Sequence, residues 1–376
     1  MQDFDTIRPY RDDEVPAVVA RLISDPALLR GASRLFTPGL ARVMPGIARW
    51  LAGRGLARRT RDLLTVADVQ RFLAGYMGRL VEETVTELTI TGFEQIEAGR
   101  AYLFVSNHRD ILMDSALLNY RLYSTGMQTC RVAVGDNLLS QPYVEDLMRL
   151  NKSFVIERSV TGKRALYAAL NRSSHFIRHS LEEGHSVWIA QREGRAKNGL
   201  DRTEPALLKM LALAYREEED LFSRFLERIC LIPVSVTYEL DPCDAMKAHE
   251  LAVIEREGKY TKGPEEDLRS LVTGMTGYKG RVNLKLASPL KGDFADADQC
   301  AAALDRAIVG GLHVFPTHAA AATELGISPV PEAGDWLPAV KAAFDLRLAQ
   351  CPAEDRKYLL AGYANLVRNR TELGFD

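Results

Sequence analysis

The hydrophobic positions of this chain change their period near residue 86. Over residues 14–85 apolar residues recur at helical spacing with no strictly alternating run, the pattern of helices that bury one face. Pro26, Pro38, Pro45, Gly53 and Gly55 punctuate the stretch, so it reads as several helices broken at those points. From residue 86 the texture becomes short β-branched or apolar runs separated by helical segments. The runs are TELTIT (86–91), AYLFVS (101–106), TCRVAV (129–134), SFVIE (153–157), SVWIA (186–190), LIPVSVTYEL (231–240) and RVNLKLA (281–287). Strands alternating with helices predict an α/β fold with a mostly parallel central sheet flanked by helices. After Gly292 an alanine-rich helical pattern returns, one helix lying around DWLPAVKAAFDLRLA. The expected organisation is a small helical N-terminal domain over 1–85, an α/β domain over 86–292, and C-terminal helices over 293–376 packed on it.

Composition adds exclusions more than assignments. With 376 residues, 47% hydrophobic and 26% charged, the chain can bury a sizeable core. Its formal charge of -2 offers no nucleic-acid footprint. Five cysteines (130, 230, 243, 300, 351) form no C-x-x-C, which suggests neither a disulfide framework nor a metal site and fits a reducing cytoplasm. The opening MQDFDTIRPYRDDEVP lacks the apolar core of a signal peptide. No stretch approaches the roughly 18 apolar residues of a spanning helix. The expectation is a cytoplasmic protein whose membrane contact, where it has one, is peripheral on the inner face. Residues 27–61 bear on that point, because they carry eight arginines and no acidic residue, interleaved with Leu, Phe, Val, Met and Trp50. Such a face suits anionic lipid, or it pairs with acidic residues elsewhere in the chain.

Parallel sheets hold ligands beyond the carboxyl ends of their strands. That rule singles out His108 after AYLFVS, Arg158 after SFVIE, and QREGRAK after SVWIA. In SNHRDILMD, residues 106–114, Asp110 and Asp114 follow His108 closely enough to orient the imidazole as a general base. Taken alone, such a histidine is more often an ordinary polar residue at a strand end. Arg158 follows a strand whose end is expected beside that of AYLFVS. QREGRAKNG places Arg192, Arg195 and Lys197 around Gly194, guanidinium and ammonium groups on a small-residue loop that could hold a phosphate. Each segment alone reads as a solvated basic turn; together they describe a base and a cationic seat on one cleft.

The order SNHRDILMDSALLNY, KSFVIERS, VWIAQREGRAK, LIPVSVTYE resembles the four sequence blocks of the glycerol-3-phosphate and lysophosphatidate acyltransferases. TGFEQIEAG before the first block and YKGRVNLKLASPL after the last are also similar to that family, so the resemblance covers about residues 86–292. The helical lead of about 80 residues resembles that of the soluble plastid glycerol-3-phosphate acyltransferases. The chain departs from the pattern in two places. Its first block is H-x5-D where the family has H-x4-D, and its third reads E-G-R where the family has E-G-x-R. Asp114 is favoured as the partner of His108, because SALLNY continues as the family helix does; Asp110 then becomes a helix N-cap.

The resemblance implies His108 and Asp114 as catalytic residues, and Arg158, Glu193, Gly194, Arg195 and Lys197 as substrate-binding residues. It implies acyl transfer from acyl-CoA or acyl carrier protein to glycerol 3-phosphate or a lysophospholipid, in phospholipid biosynthesis. Neither a metal nor a cofactor beyond that co-substrate is implied. No G-x-S-x-G elbow is present and no cysteine stands beside the histidine, so direct attack is expected rather than an acyl-enzyme. A kinase or phosphatase is disfavoured by the lack of G-x-x-x-x-G-K-[ST] and of a carboxylate cluster. The competing reading is a non-catalytic lipid- or phosphate-binding protein on the acyltransferase scaffold.

Overall fold

The structure is a computed structural model that describes residues 3–139, 141–217, 221–263 and 265–375. The N-terminal stretch forms α1 (Val15–Leu22), α2 (Pro26–Phe36), α3 (Pro38–Val43), α4 (Pro45–Thr60) and α5 (Val66–Thr84). Pro26, Pro38 and Pro45 each open a helix, where a fixed φ is already helical and the missing N–H has no partner to lose. Gly53 and Gly55, expected as breaks, lie inside α4 instead. Glycine costs a helix only about 1 kcal/mol relative to alanine, a deficit that packing on α2 can offset.

Each expected run then forms a strand. In chain order come β1 (Val85–Thr91), β2 (Leu103–Ser106), α6 (Met113–Ser124), β3 (Arg131–Gly135), α7 (Pro142–Leu150), β4 (Ser153–Ile156), α8 (Lys163–Glu182) and β5 (Val187–Ala190). They are followed by α9 (Pro205–Ala212), α10 (Leu221–Ile229), β6 (Leu231–Tyr238), α11 (Asp244–Glu257), α12 (Glu266–Thr276) and β7 (Gly280–Leu286). Four helices close the chain: α13 (Ala297–Gly311), α14 (Pro316–Glu324), α15 (Pro338–Gln350) and α16 (Ala353–Glu372).

The chain forms two compact units, and they divide it differently from the expected boundaries at 85 and 292. The first joins the N-terminal residues up to Tyr76 with Cys130–Phe176. Here β3 and β4 pair in parallel, Val132 opposite Ser153 through Gly135 opposite Ile156. Val15, Val18, Val19 and Leu22 of α1 share a core with Val69 and with Leu150 of α7. The Val155 N–H donates to the Ile7 carbonyl at 2.9 Å, and Asp146 accepts from both Tyr10 and Arg21 at 2.7 Å. α1 therefore buries its apolar face against Val69 of α5 and Leu150 of α7, while α2, α3 and α4 pack on one another.

The second unit comprises Met77–Thr129 and Ile177–Asp376. Its strands run β1-β7-β6-β2-β5. All neighbours are parallel except β6 and β7. β6 is buried along its whole length, Ser235 and Thr237 included, as a strand inside a sheet covered on both faces is. The C-terminal helices belong to this unit: α16 packs on α11 and α14, and its Leu359, Leu360, Tyr363 and Val367 join Leu240 and Phe344 in one core.

One expected neighbourhood is corrected. β2 has β6 on one edge and β5 on the other, while β4 pairs with β3, so β4 does not lie beside β2. Strands close in sequence are sheet neighbours only about two times in three.

Candidate active site

β2 stops at Ser106, level with Ala190 of β5 and Val234 of β6. The chain therefore leaves the sheet at its carboxyl edge, beside the loop that follows β5. Asn107 is fully buried and prolongs the ladder with its side chain: Nδ2 donates to the Val236 carbonyl at 2.9 Å and Oδ1 accepts from the Val236 N–H at 2.8 Å. This clamp fixes the backbone on which His108 stands.

The His108 ring meets Asp114, not Asp110. Nδ1 lies 2.8 Å from Oδ2 of Asp114, and the two side chains are 13% and 1% exposed. The same oxygen accepts the backbone N–H groups of Arg109 at 2.7 Å and Asp110 at 3.0 Å, while Oδ1 accepts from the Tyr238 hydroxyl at 2.8 Å. An oxygen that already accepts two N–H bonds makes Nδ1 the donor, which leaves the basic lone pair on Nε2. Nε2 has no hydrogen-bond partner among the described residues. Burial, with the Asp114 charge adding to it, pushes the Tyr238 phenol well above its ordinary range, so the hydroxyl stays a donor.

The extra residue of H-x5-D lies in the turn before α6, which begins at Met113. Asp110 shapes that turn: its Oδ1 accepts from the N–H groups of Leu112 at 3.0 Å and Met113 at 2.9 Å, although the N-cap position of α6, expected for Asp110, is taken by Leu112. Burial, and next the charge of Asp114, raises its carboxyl above the usual range.

The loop after β5 is laced to this segment. The Gln191 N–H donates to Ser106 O at 2.7 Å, and the Ala196 N–H donates to His108 O at 2.8 Å. Gly194 is exposed and turns the chain at φ +71, a conformation that favours glycine. Arg195 reaches Ser270 Oγ only at 3.4 Å, and its Nη1 is buried with no partner among the described residues. Lys197 pairs with Glu250 of α11. Glu193 is exposed, its backbone N–H 3.3 Å from Glu204, and Arg192 lies at 4.0 Å from the same carboxylate. Arg158 belongs to the first unit, where its backbone N–H and that of Ser159 donate to Asp136.

A small cleft of the second unit is lined by Arg109, Lys197, Tyr238, Asp241, Lys247 and Tyr363, among others. Lys247 pairs with Asp241 and donates to the Arg109 carbonyl at 2.6 Å, while the Arg109 guanidinium bonds Asp201 at 2.5 Å. Burial works to raise the Asp241 carboxyl, but the Lys247 ammonium wins and holds it below the usual range. Among the described residues no group of three or more His, Cys, Asp or Glu is placed to hold a metal ion. Sequence reasoning passed over Asn107, Tyr238 and Lys247. The first two carry a signal, being polar groups at the carboxyl ends of apolar runs. Lys247 carries none, because its partners are set by how α11 docks.

Part of the chain is similar to known proteins. Residues 87–235 match the Acyltransferase family model. Dihydroxyacetone phosphate acyltransferases of Bos taurus, Oryctolagus cuniculus and Homo sapiens are 20% identical over 198 residues, 51% of this chain. The match spans only 28% of the length of those relatives. Among solved structures, the 1-acyl-sn-glycerophosphate (LPA) acyltransferase PlsC from Thermotoga maritima aligns with a TM-score of 0.40 at 15% identity, over 75% of this chain and 92% of that one. The stretch that matches the Acyltransferase family model, residues 87–235, is the one that holds both His108 and Asp114.

Proposed function

We propose that the protein is an O-acyltransferase that moves a fatty acyl group from a thioester, acyl-CoA or acyl carrier protein, to the hydroxyl of a phosphate-bearing glycerol or glycerone acceptor. Glycerol 3-phosphate and 1-acylglycerol 3-phosphate fit this class, and the names of the relatives add dihydroxyacetone phosphate. The observation that carries the reading is the His108 Nδ1–Asp114 Oδ2 contact of 2.8 Å, with Nε2 left unpartnered among the described residues.

In this mechanism Nε2 takes the proton of the acceptor hydroxyl as its oxygen attacks the thioester carbonyl. The tetrahedral intermediate collapses, the C–S bond breaks, and the proton on Nε2 passes to the departing thiolate. Asp114 holds the ring in its tautomer and offsets the imidazolium charge as it forms. The acceptor phosphate is placed by Arg195, whose buried Nη1 supports such a slot, and by Lys197, which exchanges Glu250 for the phosphate. Positioning of this kind makes the attack effectively unimolecular.

The test is thiol release from acyl-CoA in the presence of each of the three acceptors, with wild type and His108→Ala. The expected outcome is release with at least one acceptor and a loss of about 100- to 10,000-fold in the variant, whose circular dichroism is unchanged. A folded variant of wild-type activity would refute the mechanism.

A further inference from the structure

Helix α4 is built the wrong way round for a helix that only packs on its own protein. Its buried residues are the alanines Ala48 and Ala52, while Gly53 would meet the Leu29 side chain of α2 at 3.5 Å if it carried a Cβ. Three of its four large apolar residues point outward, Leu56 alone being half-buried. Ile47, Trp50, Leu51 and Arg54 recur at three- and four-residue spacing on one face, and the three apolar ones are 48%, 58% and 42% exposed. At the α3–α4 junction Val43 and Met44 extend the patch, and the guanidinium of Arg54 lies 5.0 Å over the Trp50 ring. Fully burying a side chain of this size is worth about 1.5–3 kcal/mol, so a cluster left outside marks a surface that something else covers.

The charges name the occupant. Residues 27–61 hold eight arginines and no acidic residue. Arg30, Arg34, Arg42, Arg54 and Arg58 are exposed and form no ion pair among the described residues. For these five arginines the other reading, pairing with acidic residues of the same chain, finds no partner among the described residues. A second protein would need a complementary acidic, apolar surface; an anionic bilayer offers phosphates above hydrocarbon along the whole patch. Among the described residues no helix is long and apolar enough to cross a membrane, so the face lies on a surface.

We propose that the outer face of α4, with Val43 and Met44, docks on an anionic lipid surface, its apolar side chains entering the interface and its arginines meeting headgroup phosphates. The inference rests on the faces of α4 and is independent of the acyl-transfer reading, so its test reads binding alone. The full-length protein is sedimented with vesicles of phosphatidylcholine, and with vesicles in which about one third is phosphatidylglycerol. We expect binding to the anionic vesicles only, falling as salt rises. Ile47→Ser with Leu51→Ser should weaken it at least about tenfold at an unchanged melting temperature, since both side chains are exposed. Arg54→Gln with Arg58→Gln should weaken it about 25-fold, roughly fivefold per arginine.

Trp50 serves as reporter: its emission shifts to the blue on vesicles, and Trp50→Phe binds without the shift. Failure to bind anionic vesicles, wild-type binding by the serine variant, or a shift that persists in Trp50→Phe would each overturn the proposal. So would a vesicle-indifferent protein that runs as a dimer and becomes monomeric in the serine variant, since the face would then cover a second copy.

Discussion

Asp114 and Asp110 each accept two backbone N–H bonds in the same turn, yet only Asp114 also meets the His108 ring. A carboxamide can replace the second carboxylate but not the first. In Asp114→Asn, whether oxygen or nitrogen faces Nδ1, the charge that offsets the imidazolium is gone. Acyl transfer should fall about 100- to 10,000-fold in kcat/KM. Asp110→Asn keeps an acceptor for Leu112 and Met113 and should stay within about tenfold of wild type. The two variants also differ in pH behaviour. Because burial raises the Asp110 carboxyl, the folded state holds that proton more tightly than the unfolded one. The stability this contributes is present at low pH and is lost as pH rises through the raised folded value. The asparagine, which never ionises, should therefore gain in melting temperature over wild type as pH climbs out of the acid range. A difference that stays flat with pH would show that Asp110 is ionised at no cost. At this scale the sequence carried the contact of His108 with Asp114, since the two stand only six residues apart. It could not show Tyr238, whose bond to Asp114 spans 124 residues, because which strand end faces which loop is decided by the sheet order.

Elements were legible where their signal is local. Each of the seven apolar runs became a strand, and three of the five expected Pro and Gly breaks, the prolines, open helices. Docking was not legible, as α12 illustrates. Gly274 lies within this helix, where glycine to alanine ordinarily stabilises by about 1 kcal/mol. Here a Cβ would come within 2.0 Å of Asp110 Oδ2 and 2.8 Å of its Cγ. Asp110 cannot simply swing away, because it is buried and holds two N–H groups of the turn before α6. The usual sign should reverse: Gly274→Ala is expected to cost about 1–3 kcal/mol in chemical denaturation, the range for overpacking. It should also lower acyl transfer, because the same turn sets Asp114 against His108. A stabilised and fully active Gly274→Ala would mean that α12 stands farther from the turn than the structure has it.

For the whole molecule, the apolar pattern announced helices after residue 292 but not what they complete. α16 closes the second unit from the end of the chain. Asn365 Nδ2 donates to the Asn198 carbonyl at 2.8 Å and Asn369 Nδ2 to the Asp201 carbonyl at 2.9 Å, which straps the loop carrying Arg195 and Lys197. The Tyr363 hydroxyl donates to Asp244 at 2.7 Å and accepts the Asp241 N–H at 3.0 Å, and Arg347 of α15 bonds Asp244 at 2.8 Å. Such pairings span more than 100 residues and leave no periodic trace, so the expected boundary at 293 drew a line through one core. The energies make a firm prediction from this. Leu359, Leu360, Tyr363, Leu366 and Val367 are each almost fully buried. Truncating one leucine-sized core side chain costs about 2–5 kcal/mol, against a total stability of about 5–15 kcal/mol for a domain. A chain ended after Pro352 loses all five at once and exposes the face of α11 on which they pack. It should therefore lose the cooperative thermal transition of the second unit and all acyl transfer. Removal of α16 that left both intact would show the last helix to be an appendage, and would return the boundary to where the sequence alone placed it.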